Sequence, residues 1–413
     1  MKSKTKAHGT LLLCFLALLG SYSIGSKSSF ASLLDIFFTL ILFSSLPLAL
    51  KNPVLRIFVF ACFAWLAIQF VSDFVNQTLQ LSIASLLGLQ VLAYAAGMNW
   101  LYVKRGIEPL KIILAIGLGF LIQTFQSGTI NYTNPWKYGF NFTASILFIF
   151  LVKLIFKSSY VDSFALIILM GVNIFFDMRH GFGLALLTLL ILVIKPKKNQ
   201  TLLALRVGTI IAIPLVLVSS YADFAKSGLL GERAARLQFQ AEALDTNFIF
   251  QSRPEVFQTI YLVSKSPLLG YGTYGIPDGV VVQGALEFVN RYFTTLDYNS
   301  RNYLLQTSQV RVGYAAHSQI GATLIYGGLG VLLFWIPFFR TITKLFFRML
   351  KGSDQYQGAL IFVLLTLAYN IVFSPLGFLS RFQIAMVIFL ASSYLIEAKK
   401  SQGTDLEEQH YGK

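Results

Sequence analysis

Two arginines and one histidine of this sequence could bind an anion and move a proton. They are Arg179, Arg253 and His317. A guanidinium group presents five N–H donors in a planar fork that matches phosphate oxygens, and an imidazole exchanges a proton near neutral pH. This combination is suited to a reaction in which a phosphorylated group departs while a hydroxyl is deprotonated.

Arg253 lies at the predicted start of a helix. Ser252 and Glu255 have the spacing of a capping box, Pro254 suits a first helical turn, and Pro267 ends the helix. The guanidinium group would then add to the free N–H groups of the first turn and favour an anion. A surface ion pair with Glu255 explains the same pattern equally well.

Arg179 and His317 are both predicted at membrane boundaries. Arg179 could pair with Asp177, extend into the lipid headgroups, or form a second phosphate contact. His317 could be a general base, or it could cap a helix and bond at the interface. His180 is a weaker candidate for the same base, and Arg311 is an accessory candidate beside His317.

The composition predicts an integral membrane protein. The chain has 413 residues, of which 55% are hydrophobic and 12% charged, and the mean hydropathy is +0.66. The net charge of +15 comes mostly from basic residues between apolar runs, which is typical of cytoplasmic loops and argues against nucleic-acid binding. The two cysteines lie inside apolar runs and indicate neither a disulfide nor a metal cluster.

The apolar runs predict an all-α polytopic fold with about twelve transmembrane helices. We expect spans near residues 8–25, 30–50, 57–73, 79–102, 111–127, 141–157, 162–178, 181–195, 201–219, 318–338, 357–374 and 379–397. With an uncleaved first span and the N-terminus inside, 21 of the 33 Lys and Arg residues fall on the inner face and four in short outer loops. This asymmetry predicts cytoplasmic termini.

The predicted organisation has four parts. Residues 1–219 form helices 1–9, residues 220–317 form a long periplasmic loop with short helices, residues 318–400 form helices 10–12, and residues 401–413 form a cytoplasmic tail. We find no acidic cluster or Asp-x-Asp motif on the outer side, and no Walker motif or Gly-x-Ser-x-Gly motif in the sequence. The sequence therefore predicts neither a metal nor a cofactor.

Two motifs in and after the long loop resemble those of the O-antigen ligase and O-antigen polymerase superfamily. Arg253 followed by the run Ser266-Pro267-Leu268-Leu269-Gly270-Tyr271-Gly272 resembles the family's Arg, helix, Pro-x-x-Gly-x-Gly pattern. His317 followed by Ile325-Tyr326-Gly327-Gly328-Leu329-Gly330 resembles its His-Asn, helix, Gly-Leu-x-Gly pattern, with Ser318 in place of the Asn. Arg179 lies where the family has an arginine that opens a span on the outer side.

The resemblance implies a GT-C-type membrane glycosyltransferase that inverts configuration without a metal. It implies an undecaprenyl-diphosphate-linked glycan as the donor, bound at the diphosphate by Arg179 and Arg253, with His317 as the base on the acceptor hydroxyl. The acceptor would be lipid A–core for a ligase, or another lipid-linked repeat unit for a polymerase. The expected location is the bacterial inner membrane, with a periplasmic active site.

Other functions compete with this interpretation. A protein O-oligosaccharyltransferase of the same superfamily, a transporter or flippase of lipid-linked sugars, and a scaffold for a polysaccharide complex would share the span count. A transporter predicts paired charges inside spans, and the sequence shows only Asp35 and Asp73, at span edges.

Overall fold

The described part of the chain is almost entirely helical. A computed structural model describes residues 2–24, 31–79, 85–126, 140–156, 160–176, 178–193, 254–275, 277–292, 318–351, 356–374 and 379–411, with a few isolated residues between these ranges. The described residues also form one short antiparallel pair of two-residue strands, Ser23–Ile24 and Ala31–Ser32.

Fourteen α-helices occur in the described ranges. They are α1 (Lys2–Ser21), α2 (Leu33–Lys51), α3 (Pro53–Val75), α4 (Leu87–Arg105), α5 (Pro109–Gln126), α6 (Asn141–Ile155), α7 (Tyr160–Phe175), α8 (Arg179–Val193), α9 (Pro254–Lys265), α10 (Gly279–Tyr292), α11 (Gln319–Gly327), α12 (Leu332–Lys351), α13 (Gln357–Phe373) and α14 (Ser380–Tyr411). A 3₁₀ turn, Gly328–Val331, joins α11 to α12.

The helix ends follow from local sequence. Ser32 and Asp35 form a capping box at the start of α2. Asn52 ends α2, and its side chain accepts hydrogen bonds from the N–H groups of Val54 and Leu55, so it also starts α3. Gly106 ends α4 with a φ of 62°, the left-handed conformation that favours glycine.

The first helices pack closely at small residues. Gly20 of α1 and Gly119 of α5 leave no room for a side chain, because a Cβ at Gly119 would lie 2.8 Å from the Cα of Gly20. Gly97 of α4 likewise leaves space for the ring of Phe38 on α2, which a side chain at position 97 would overlap. Helix α4 also packs against α14, so the core forms around α4. Small residues at such crossings are typical of helices that associate in a membrane.

The helix composition is that of a membrane protein. Four described helical segments are long and apolar enough to cross a membrane: Leu33–Lys51, Pro53–Val75, Pro109–Gln126 and Gln319–Lys351. Several shorter helices are equally apolar. The predicted spans before residue 195 and after residue 357 each coincide with a described helix, whereas the predicted span 201–219 lies almost entirely outside the described residues.

One predicted span differs in form from the structure. A continuous helix was expected over 318–338, but the chain breaks at Gly327–Gly328 and then continues as α12 to Lys351. Gly328 has a φ of 67°, which ends α11. Because α12 continues to Lys351, it contains four of the basic residues that were counted on the inner face: Arg340, Lys344, Arg348 and Lys351.

Candidate functional site

The two glycine motifs lie against each other. The N–H groups of Tyr271 and Gly272 donate to the carbonyl oxygens of Ile325 (2.8 Å) and Tyr326 (3.0 Å). In return, the N–H of Leu329 donates to the carbonyl oxygen of Pro267 (2.7 Å). The segment after α9 and the end of α11 are therefore joined through their backbones, although more than fifty residues separate them in sequence.

Glycine is required at both sides of this junction. Gly270 has a φ of 66°, and a Cβ there would lie 2.4 Å from the carbonyl oxygen of Ile325. A Cβ on Gly328 would lie 2.4 Å from the carbonyl oxygen of Leu268. Any side chain would separate the two backbones and strain them. The motifs that carry the family resemblance are thus explained in this chain by close packing.

The C-terminal end of α3 holds the junction with polar side chains. Ser72 donates to the carbonyl oxygens of Leu269 and Tyr326, the second at 2.7 Å. Asn76 donates to the carbonyl oxygen of Gly270 at 3.4 Å. Tyr326 lies at the end of α11, and Leu269 and Gly270 lie in the turn after α9, so these bonds satisfy carbonyl groups where two helices end.

Asp73 is the central acceptor at this end of α3. It is 1% exposed and accepts from the N–H of Thr273 (2.5 Å), the hydroxyl of Thr273 (2.9 Å), the amide of Gln69 (3.0 Å) and the hydroxyl of Thr78 (3.3 Å). These donors satisfy the hydrogen-bonding capacity of a carboxyl group that is almost completely buried. Sequence reasoning placed Asp73 at a span edge and did not identify its partners.

Two tyrosines complete this region. The hydroxyl of Tyr271 donates to the carbonyl oxygen of Leu262 at 3.2 Å, and the ring of Tyr274 lies edge-on to that of Tyr326. Burial raises the pKa of Tyr271 and of Tyr274, so both hydroxyls remain protonated near neutral pH.

Helices α9 and α11 meet near their C-terminal ends. Leu262 of α9 belongs to one buried cluster with Ala322, Ile325 and Tyr326 of α11, and the two helices pack against each other. Helix α9 begins at Pro254 and ends at Lys265, as the capping box and Pro267 predicted. Arg253 itself, which precedes α9, lies outside the described residues, as do His317 and Arg311.

Ser318 caps α11 and touches α13. Its hydroxyl accepts from the N–H of Gly321 at 3.0 Å and donates to the carbonyl oxygen of Ile371 at 3.4 Å. Serine is among the residues preferred at the N-terminal cap of a helix.

Arg179 and His180 begin α8, and His180 faces α13. The imidazole ring of His180 stacks on the ring of Tyr369, with a centroid separation of 4.6 Å and an interplanar angle of 10°. Tyr369 lies two residues before Ile371, the contact of Ser318. Both side chains are half-buried. The start of α8 and the start of α11 therefore contact one short segment of α13.

A polar cluster supports the start of α8. The amide oxygen of Asn173 accepts from the indole N–H of Trp136 (3.0 Å) and from the amide of Asn141 (2.6 Å). A Cβ on Gly181 would lie 2.6 Å from the same oxygen, so only glycine fits there. Residues 127–135 and 137–139, which precede α6, lie outside the described residues.

Charged pairs inside apolar helices were missed by sequence reasoning. Arg381 is fully buried and donates to both carboxylate oxygens of Asp35, at 2.5 and 2.7 Å. The prediction that Arg381 lies in a short outer loop is wrong, because it occupies the first turn of α14. Lys153 and Asp162 form a second buried pair at 3.0 Å. The sequence contained one signal for these pairs, because each of the four residues is an ionisable group near the end of an apolar run.

Among the described residues, no three His, Cys, Asp or Glu side chains come close enough to hold a metal ion. Comparisons with family models, with curated proteins and with solved structures give no match for this chain.

Proposed function

We propose that this protein is a membrane glycosyltransferase of the O-antigen ligase type. It transfers a glycan from undecaprenyl diphosphate to a sugar hydroxyl of lipid A–core. In this proposal about twelve helices cross the bacterial inner membrane, both termini are cytoplasmic, and residues 220–317 face the periplasm.

The observation that carries the proposal is the packing of the two motifs on each other. Arg253 and His317 each precede a short helix, and those helices, α9 and α11, pack side by side with their C-terminal ends joined at Pro267 and Leu329. If the axes of the two helices also run roughly parallel, their N-terminal ends lie on the same side. This supports a shared cavity for the guanidinium group and the imidazole.

Arg179 belongs to the same proposed cavity. The start of α8 and the cap of α11 converge on α13, at Tyr369 and Ile371. His317 is the residue directly before that cap, Ser318. The convergence of α8 and α11 supports Arg179 as the second diphosphate contact. His180, the next residue, stacks on Tyr369 at the same place.

The proposed reaction is a single displacement. His317 accepts the proton of the acceptor hydroxyl, whose oxygen attacks the anomeric carbon of the donor. The bond from that carbon to the diphosphate oxygen breaks, and the configuration is inverted. Undecaprenyl diphosphate leaves with the bonding electrons, and Arg179 and Arg253 stabilise its developing charge.

A reconstituted transfer assay tests this proposal. Purified protein is incubated with lipid-linked glycan and lipid A–core in the presence of EDTA, and product is measured by gel. We expect His317→Ala and Arg253→Ala each to lower the rate by about 100-fold or more. Arg348→Ala, which removes an arginine from the far end of α12, is the matched control and keeps the rate. Equal product from all variants, or a requirement for added metal, contradicts the proposal.

A deletion strain distinguishes ligase from polymerase. Loss of every glycan-capped lipopolysaccharide species indicates ligation. Survival of core bearing one repeat unit indicates polymerisation of lipid-linked units.

The buried charged pairs favour one alternative, a transporter of lipid-linked sugars. Asp35 and Arg381 are paired inside apolar helices, which is common in membrane transporters. A transporter would move fluorescent lipid-linked sugar across vesicles and would form no glycosidic bond. Movement of the lipid-linked sugar across the membrane, with no glycosidic bond formed, would contradict the enzyme proposal and support this alternative.

A further inference from the structure

One face of α9 is apolar and exposed. Val256, Ile260 and Leu268 lie on one row of four-residue steps, with exposed fractions of 39%, 55% and 78%, and the exposed Ser264 occupies the step between Ile260 and Leu268. Leu268 continues the row beyond the helix end, because the N–H of Gly270 still donates to the carbonyl oxygen of Ser266 in a helical turn. The opposite face of α9 is buried at Leu262.

This exposed row is continuous with apolar surface on two membrane-like helices. The Pro267–Leu269 segment that carries Leu268 is bonded to Ser72 of α3 and to Leu329 of the 3₁₀ turn. Leu329 is itself 45% exposed. Beyond these contacts, both neighbouring helices present further exposed apolar side chains, namely Val71 and Val75 on α3 and Leu333 and Ile336 on α12. The row therefore extends the surface of helices that are apolar enough to span a membrane.

The charged residue beside this row, Lys265, has surroundings that are typical of a lipid interface. Lys265 is exposed, and its ammonium group lies 5.1 Å from the ring centroid of Tyr261. A lysine and a tyrosine at the edge of an apolar face commonly sit at the level of the headgroups, where the cation meets lipid phosphate. Helix α10 differs, because its exposed face carries Gln283 and Glu287, which are hydrogen-bonded to each other at 3.2 Å.

We infer that α9 and the Leu268 turn are immersed in the bilayer, with the row Val256, Ile260 and Leu268 in the acyl region and Lys265 at the headgroups. The occupant of this surface is the lipid leaflet on the side of the long loop. This inference concerns lipid contact alone, and it holds for an enzyme, a transporter or a scaffold. In the proposed topology it places α9, which is part of the segment 220–317, against the outer leaflet.

Spin-label accessibility tests the inference in the full chain. Cys14 and Cys62 are replaced by Ser and Ala, a single nitroxide is attached at Leu268→Cys or Ile260→Cys, and the protein is reconstituted in phospholipid vesicles. Glu287→Cys is the water-facing control, and Ile336→Cys is the lipid-facing control. Collision rates are measured with oxygen, which dissolves in lipid, and with a neutral nickel chelate, which stays in water.

The two collision rates separate the possible surroundings. Immersion predicts, at both sites, an oxygen rate close to that of Ile336→Cys and a nickel rate at least about tenfold below that of Glu287→Cys. A high nickel rate would show that the row faces water. Low rates with both reagents would show that protein, such as a second copy of the chain, covers the row. Either of these last two results overturns the inference.

Discussion

At the scale of single residues, the polar groups that sequence reasoning passed over organise the described site. Asp73 is buried at the end of α3 and accepts four hydrogen bonds, two of them from Thr273. Thr273 directly follows the Pro-x-x-Gly-x-Gly motif. The carboxylate of Asp73 therefore holds a motif that lies next to it in space, although about 200 residues separate the two in sequence.

Asp73→Asn should destabilise the protein. The new amide NH₂ group would face donors, so we expect the free energy of unfolding in detergent to fall by about 1–3 kcal/mol. Thermal unfolding measures this loss. Glu108→Gln makes the same chemical change in an exposed pair with Lys111 and should cost about 0–1 kcal/mol. A loss at Asp73 no larger than at Glu108 would show that this carboxylate does not fix the motif.

The buried pair of Asp35 and Arg381 should behave as one unit. Asp35→Leu or Arg381→Met alone leaves a buried group without its counter-ion, and we expect each to cost about 3–5 kcal/mol of the free energy of unfolding. The double variant Asp35→Leu with Arg381→Met should cost less than the sum of the two single changes. Additive losses in this double-mutant cycle would argue against direct coupling.

At the scale of elements, the junction between the two glycine motifs positions α9 against α11. Gly270→Ala should cost more than conformational strain alone, because its Cβ would also meet the backbone of Ile325. Gly106→Ala is the matched control, since Gly106 also has a positive φ, 62°, but open space around its Cα.

Thermal unfolding of both glycine variants gives the comparison. We expect Gly106→Ala to lower the free energy of unfolding by about 1 kcal/mol, and Gly270→Ala to lower it by at least about 2 kcal/mol more. Equal losses would mean that the two backbones are free to separate, and the junction would then not hold α9 in place.

Much of the element order could be predicted because hydrophobic periodicity and capping are local. Pro267 correctly bounded the end of α9, Ser252 of the predicted cap lies outside the described residues, and the apolar runs located most helices. The break at Gly327–Gly328 was not predicted, because its cause is contact with Pro267 and Leu268, far away in sequence. The pairing of Asp35 with Arg381 was missed for the same reason.

At the scale of the whole molecule, the bias of basic residues predicts which ends of the helices face the cytoplasm. The last turn of α4 contains Lys104 and Arg105, and Glu108 follows in the turn before α5, so this end of the two helices should be inside, whereas α10 should be on the outer side with the long loop. Glu108→Cys and Glu287→Cys, each in a protein lacking its native cysteines, should react with an impermeant thiol reagent from opposite sides of the membrane. Labelling of both from the same side would contradict the proposed topology.

The central claim is that Arg253 and His317 border one cavity on the outer side. Its most direct test is the distance between nitroxide labels at Arg253→Cys and His317→Cys, measured by pulsed electron spin resonance in lipid nanodiscs. Side-by-side helices with axes about 8–10 Å apart predict a single population centred below about 20 Å. A distance above about 30 Å, which is the thickness of the hydrocarbon core, would place the two residues too far apart to act on one substrate and would contradict the claim.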